Sequence, residues 1–522
     1  MIKWIANFFW KLYKILTHRM FLTVILLLVQ FVVMYLMLYY ANDYSVYVQG
    51  VFQFISVLMI IYILNQDDNP NEKMSFIMFI ALVPFFGVPF YIIWRGKTVH
   101  EKYRLTLEKS HNQVKHLHMQ DESVGNELRE LDRKRYREAE YVYRESDFPV
   151  HKNTSTKYYP SAEALYEELL PALENAKHFI FMEFFIIKHG EMFDTIMEIL
   201  KRKVKEGVEV RFMYDDFGCA GNLPMHYDRE LKEMGIEGVI FNPFNPRLTI
   251  NHNFRDHRKI IVIDGYIGFT GGLNLADEYI NKISPYGYWK DSGIRLEGDA
   301  VWNLTVSFLE NWDFASESHS DYALFTPHRY HEESFEALDD GYVMPYADNP
   351  LDDEELGQSV YVNMINNAVD YIWFTTPYLV LETSVQNALE LAAKRGVDVR
   401  IITPGIPDNK IHTYVVTRST YRHLIQNGVR IYEYTQGFVH AKNVLSDDEV
   451  MSCGTINLDY RSMYHNFENG VWVYRSKSIE DMKKDFLQVM EVSKEIDMDW
   501  VKKRPLTQRF AQYIYRIMSP FL

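Results

Sequence analysis

The sequence predicts a duplicated α/β sandwich whose two halves share one central site, placed behind hydrophobic N-terminal helices. Three observations predict it. A strand–helix pattern occurs twice beyond residue 150, an H-x-K-x4-D motif closes each copy, and three long apolar runs occupy the first 96 residues.

The repeat comes first, because it organises everything else. In the first copy the apolar run 178–187 (HFIFMEFFII) precedes a helical stretch, Gly207 opens VEVRFMYDD, and after another helix Gly235 opens IEGVIFNPF. In the second, 371–380 (YIWFTTPYLV) precedes a helix, Gly396 opens VDVRIITPG, and Gly428 opens VRIYEY. Short β-branched runs between helical segments predict buried strands, and glycine after each helix is a stop signal. The first half is expected over 147–347, with an apolar helix near Val301–Phe314, and the second over 348–500. The acidic stretch Asp348–Glu355 reads as a surface connection.

The apolar runs are 21–40, 46–64 and 74–94, the last broken by Pro84, Gly87 and Pro89. A run of about 20 apolar residues is the length a helix needs to cross a bilayer. Lys and Arg flank the group on both sides, so the positive-inside rule puts both ends in the cytoplasm. Two segments are then expected to cross, with the broken third re-entrant or interfacial. Residues 97–146 are charged and read as a solvated helical linker. The last segment, 501–522, carries five Lys/Arg and no acid among apolar residues, the pattern of a basic amphipathic helix on anionic lipid or of a helix packed on its own domain.

Net charge is −15, which excludes recognition of nucleic acid through a global positive field, so an anionic substrate must be met by local cations. Cys219 and Cys453 are too few for a disulfide framework or a cysteine metal site.

The chemistry lies in the motifs. One is His257-Arg-Lys259 with Asp264, followed by Gly271-Gly-Leu-Asn274; the other is His440-Ala-Lys442 with Asp447, followed by Gly454-Thr-Ile-Asn457. Strand periodicity would put each His and Lys on one face. Phosphodiester exchange by double displacement needs a nucleophile, a leaving-group acid and cations on the non-bridging oxygens. Two histidines and two lysines supply these, with Asn274 and Asn457 as further phosphate donors, and the scheme calls for no metal or cofactor. Asp264 and Asp447 fall on the opposite strand face by odd spacing. They either orient an imidazole or serve a hairpin turn. Gly272 stands where Thr455 stands in the other copy, a missing hydroxyl. Around the motifs, buried Glu183 either faces the site or pairs with a base, Glu468 either backs a histidine or pairs with Arg461, and Tyr378 lines the pocket or packs.

These motifs resemble the phospholipase D superfamily. The fuller pattern, including NPNEK (69–73), EFF (183–185), FNP (241–243), TPY (376–378) and NLDYRS-MYHNFE (457–468), is similar to its bacterial cardiolipin synthase family over nearly the whole chain. The resemblance implies phospholipase D-like halves and a multi-pass enzyme of the bacterial plasma membrane with its catalytic domain on the cytoplasmic face. It implies transfer of a phosphatidyl group from one phosphatidylglycerol to another, giving cardiolipin and glycerol, with His257 as nucleophile and His440 as acid and base. The same residues with water as acceptor would make a phospholipase-type hydrolase.

Overall fold

The computed structural model describes Val32, Tyr35, Tyr39 and residues 45–517, apart from 67–68, 95–96, 244–253, 331–340 and 353. The chain divides into an N-terminal unit ending near Lys97 and a larger unit holding both motifs.

In the N-terminal unit the second apolar run forms the helix Ser45–Leu64, which carries no charged residue. Lys73 donates its ammonium to the carbonyl of Gln66, just past the end of that helix, while Asn69 caps the next one by accepting from Asn71 N at 2.9 Å. The NPNEK segment is therefore a joint between helices. The third run, predicted as one segment over 74–94, is instead two helices, Pro70–Leu82 and Pro84–Trp94. They fold back on each other. Gly87 sits so close that a Cβ there would lie 2.5 Å from Ile80 Cα, and the rings of Phe76 and Tyr91 meet at 5.1 Å. At 1.5 Å per residue these helices are only about 20 and 17 Å long. Among the described residues no helix is long and apolar enough to cross a membrane; the run 21–40 lies outside them except for Val32, Tyr35 and Tyr39.

The larger unit carries the duplication as two sheets with the same strand order. The first sheet runs Thr154–Tyr159, Gly293–Gly298, Ile267–Gly271, Ile260–Ile263, Phe179–Phe184, Glu209–Asp215, Glu237–Phe241. The second runs Tyr342–Asp348, Asn466–Tyr474, Val450–Gly454, Asn443–Ser446, Tyr371–Thr375, Asp398–Pro404, Arg430–Tyr434, and adds an edge strand Ser493–Ile496. In each, three parallel strands meet an antiparallel hairpin that follows directly on the motif. Gly207 and Gly396 end equivalent helices at φ 93° and 96°, a left-handed turn that glycine adopts without strain.

Three expectations change here. Strand Tyr342–Asp348 pairs with Asn466–Tyr474, so the second half begins before residue 348. Asp348 is buried and accepts from Gly357 N at 2.8 Å, so the acidic stretch starts inside the fold instead of on its surface. The charged linker is three helices, Lys97–Val114, Glu122–Leu131 and Arg133–Ser146, and the last is not a wet face. Its Arg135 is fully buried against Glu138 at 2.8 Å, and Glu138 also accepts from Asn367 and Trp472 of the second half. Burying a charge is tolerable only with such partners. The C-terminal helix Leu506–Ile517 packs along Ile411–Gln426 and leaves Phe510 and Tyr513 about two-thirds exposed.

Candidate active site

The two motif histidines are brought together at the seam between the halves, where each half lends the other a strand. Arg255–Asp256 runs parallel to Asn466–Phe467, and His257 N donates to Phe467 O at 2.9 Å. In the matching exchange Tyr288–Lys290 runs parallel to Gly437–Val439, and His440 N donates to Lys290 O at 2.7 Å. Each His and Lys thus sits in the extended lead-in just before a strand, not within it as the spacing predicted. The strand geometry is taken over by this exchange.

The exchange also delivers a carboxylate. His257 Nδ1 lies 2.9 Å from both carboxylate oxygens of Glu468, and His440 Nδ1 lies 2.7 Å from Asp291 Oδ2. Each histidine is backed from the opposite half. A carboxylate on Nδ1 holds the ring proton there and leaves Nε2 as the working nitrogen. Of the readings open for Glu468, the structure selects the histidine partner. Asp291 has no counterpart among the residues picked out from the sequence, although W-K-D (289–291) occupies the position of N-F-E (466–468).

The missing hydroxyl has a steric explanation. Thr455 Oγ1 donates to Glu468, whereas a Cβ at Gly272 would lie 2.0 Å from Asp291 Oδ1. The shorter acid lies directly over Gly272, and the longer one is braced by Thr455. Size is exchanged between the paired positions.

The lysines are buried with the histidines. Lys259 Nζ donates to His257 O at 2.6 Å; Lys442 Nζ donates to His440 O and lies 2.9 Å from His440 Nδ1. Burial lowers Lys259 to about 8 and Lys442 to about 7, partly offset by nearby carboxylates. Burial and the lysine charges press His257 well below its ordinary value and His440 to about 3, so both imidazoles rest neutral. The carboxylates diverge. Burial raises Glu468 to about 7, whereas Asp291, despite its burial, is held below the usual range by His440 and Lys442.

Asp264 and Asp447 do not join the site, which corrects their catalytic assignment. Asp264 accepts from the backbone N–H of Lys177, His178 and Phe179, at 2.8, 2.7 and 2.9 Å. Asp447 accepts from Val369, Asp370 and Tyr371, each at 2.9 Å. Both adopt a left-handed backbone, φ 54° and 56°, at the turn after the motif strand, and each fastens the start of the neighbouring strand. The Asn pair also splits. Asn274 is consumed internally, accepting from Ile186 N and donating to Tyr279 OH at 2.8 Å; Tyr279 lies edge-on to His440 at 5.5 Å. Asn274 therefore orients an aromatic wall instead of reaching a phosphate. Asn457 is buried, and its Oδ1 has no hydrogen-bond partner among the described residues.

Glu183 pairs with a base behind the sheet: Arg258 Nε lies 3.3 Å away and Asn311 donates at 2.6 Å. Tyr378 donates to Asp408 at 2.6 Å and packs toward Phe438, which faces His440. Among the described residues no cluster of three or more His, Cys, Asp or Glu is arranged to hold a metal.

Comparison with known proteins agrees with this geometry. The family model described as "Cardiolipin synthase, PLD-like domain" matches residues 169–283 and 361–490, and "Phospholipase_D-nuclease N-terminal" matches 54–96. An uncharacterized protein of Streptococcus mutans serotype c is 38% identical over 463 residues, covering 89% of this chain and 99% of its own. A cardiolipin synthase of Alkalihalophilus pseudofirmus is 33% identical over 473 residues, covering 90% of this chain and 92% of its own. In fold, the crystal structure of phosphatidylserine synthase from Haemophilus influenzae Rd KW20 aligns with TM-score 0.57 at 15% identity, over 74% of this chain and 99% of that one. The chain belongs to the cardiolipin synthase family of phospholipase D-like proteins.

Proposed function

We infer that this protein is a phosphatidyltransferase that makes cardiolipin and glycerol from two phosphatidylglycerol molecules. The observation that carries the reading is the pair of histidines, each backed by a carboxylate from the opposite half and flanked by a buried lysine. Nε2 of His257 attacks phosphorus while His440, neutral at rest, takes up a proton from solvent once the anionic phosphodiester lies beside it with Asp291 on its other nitrogen, and gives that proton to the departing glycerol oxygen. The P–O bond breaks as a P–N bond forms, leaving phosphatidyl-His257 and a neutral His440. The terminal hydroxyl of a second phosphatidylglycerol then loses its proton to His440 and attacks phosphorus, restoring His257. Lys259, Lys442 and Asn457 hold the non-bridging oxygens as charge builds there.

His440 suits the acid role because the Asp291 beside it is firmly ionised, whereas Glu468 is raised to about 7 and draws less proton density from His257. A membrane site for the reaction is supported by the charge-free helix Ser45–Leu64, which exposes Val51, Phe54, Leu58 and Ile61, and by the run 21–40. Two crossings with the Pro70–Trp94 hairpin re-entrant would put the catalytic unit on the cytoplasmic side. The C-terminal helix, with Phe510 and Tyr513 exposed, would rest on anionic lipid.

The test is incubation of the purified full chain with glycerol-labelled phosphatidylglycerol. Cardiolipin with released glycerol is expected; phosphatidic acid with glycerol would make the protein a hydrolase, and no turnover would remove the enzyme reading.

A further inference from the structure

Three loops that frame the histidines carry large apolar side chains in solvent. Segment 217–226 follows strand Glu209–Asp215 and exposes Phe217 (49%) and Met225 (66%). Segment 405–411 follows the equivalent strand Asp398–Pro404 and exposes Ile406 (37%) and Ile411 (64%). Segment 281–288, which leads into the strand lent to the second half, exposes Ile283 (52%).

Each loop is tied to the site by direct contacts. Gly218 packs on the backbone of Phe185, where a Cβ would lie 2.0 Å from the carbonyl oxygen, and the Phe185 ring meets His257 at 5.2 Å. Asp215 holds the start of this loop by accepting from Gly218 N at 2.8 Å. Asp408 accepts from Tyr378, and Lys410 lies 4.7 Å above the Tyr378 ring. Tyr286 packs on Trp289, which lies 5.2 Å from His440. Each loop is thus linked by packed side chains to a motif histidine, segment 405–411 through Tyr378 and Phe438.

The charge of this rim differs from that of the chain. With Asp216, which joins the first loop to its strand, the three loops hold two cations, Lys282 and Lys410, and two acids, Asp216 and Asp408; Lys282 pairs with Glu191 at 2.9 Å and Asp408 is bonded to Tyr378, although the whole chain carries −15. A near-neutral rim of apolar tips around a site with two buried lysines meets an anionic lipid surface without repelling it.

We propose that the catalytic unit docks face-down on the bilayer through these three loops, inserting Phe217, Met225, Ile283, Ile406 and Ile411 among anionic lipids so that headgroups rise to the histidines. The proposal rests on the lipid reading of the site given above and names the surface through which it meets lipid.

The test uses the full chain in phosphatidylglycerol-containing liposomes. The native Cys219 and Cys453 are buried and serve as an unlabelled background. Single cysteines at Met225, Ile283 and Ile411, and at exposed Val369 and Leu391 away from these loops as controls, carry an environment-sensitive fluorophore. Rim probes should be quenched by doxyl groups on lipid tails and shielded from aqueous iodide; control probes should show the reverse. Equal access of iodide to rim and control probes overturns the proposal.

A second arm replaces Met225, Ile283 and Ile411 together by Asp. Turnover of vesicle substrate should fall by about tenfold or more, since apolar insertion is lost. Turnover of monomeric dibutyroyl-phosphatidylglycerol should stay within about twofold, because that substrate needs no bilayer. Equal loss on both substrates overturns docking as the cause. The quenching arm reads docking without turnover, so lipid quenching in a preparation that makes no cardiolipin upholds the docking and rejects the activity.

Discussion

The station around His257 and the station around His440 share one plan but are built from different parts. His257 has Glu468, braced by Thr455; His440 has Asp291, seated over Gly272. Glu468 is raised toward neutrality by burial and Asp291 is held ionised, so the two histidines have matched geometry with unequal support for a positive charge. A double displacement needs that inequality, since one imidazole must attack and the other must carry a proton.

The largest effect should come from removing each histidine in turn. His257→Ala and His440→Ala should each lower cardiolipin formation by about 10⁴-fold or more. They should part company on a phosphatidyl ester of p-nitrophenol, whose leaving group needs no acid: labelled lipid should accumulate covalently on His440→Ala and not on His257→Ala. Trapping with the roles reversed would exchange the two stations.

Next in size is the steric swap. Gly272→Ala should cut kcat by about 10²-fold, because its new methyl group meets Asp291 and moves His440. Thr455→Ser keeps the hydroxyl and should retain most activity. Similar losses at the two positions would mean that the Gly–Asp and Thr–Glu pairings are incidental.

The lysines give a pH signature. Folded Lys442 titrates near 7 instead of 10.5, so over that interval the unfolded chain holds a proton that the folded chain lacks. This group's contribution to stability therefore rises with pH from about 7 to 10.5, while transfer, which needs the ammonium, falls across the same range. Unfolding midpoints of the wild type compared with Lys442→Met should separate in favour of the wild type as pH increases. A gap that stays constant would refute the shift.

The smallest catalytic effect belongs to the motif aspartates. Asp264→Asn and Asp447→Asn each weaken three backbone hydrogen bonds and should cost about 1–3 kcal/mol of stability, with kcat of the folded protein changed by less than about threefold. Thermal melts paired with kcat distinguish this from a chemical role, which would lower kcat by orders of magnitude at an unchanged midpoint.

The duplication made much of this legible. Six strands and both His-Lys pairs could be read because every signal occurred twice at equal spacing. Asp291 escaped because the spacing is unequal: it stands 17 residues after Asn274, while Glu468 stands 11 after Asn457. Spacing along one strand also gave no sign that a histidine's partner would arrive from the opposite half. Asp264 and Asp447 lay on the wrong face by parity, and the backbone amides they hold belong to a strand more than 70 residues away. The broken third hydrophobic run was marked by Pro84, Gly87 and Pro89, but only the close approach of Gly87 to Ile80 makes it a hairpin.

The lending of strands across the seam has a consequence for inheritance. The side chain that governs His440 lies 149 positions upstream, and the one that governs His257 lies 211 positions downstream. Neither half contains a complete histidine station, so neither could be selected for chemistry alone. A one-motif ancestor would have needed a second copy of itself to complete either histidine. Joining two such copies in one chain would keep both stations complete while letting each change on its own, as the Gly272–Asp291 and Thr455–Glu468 pairs now differ.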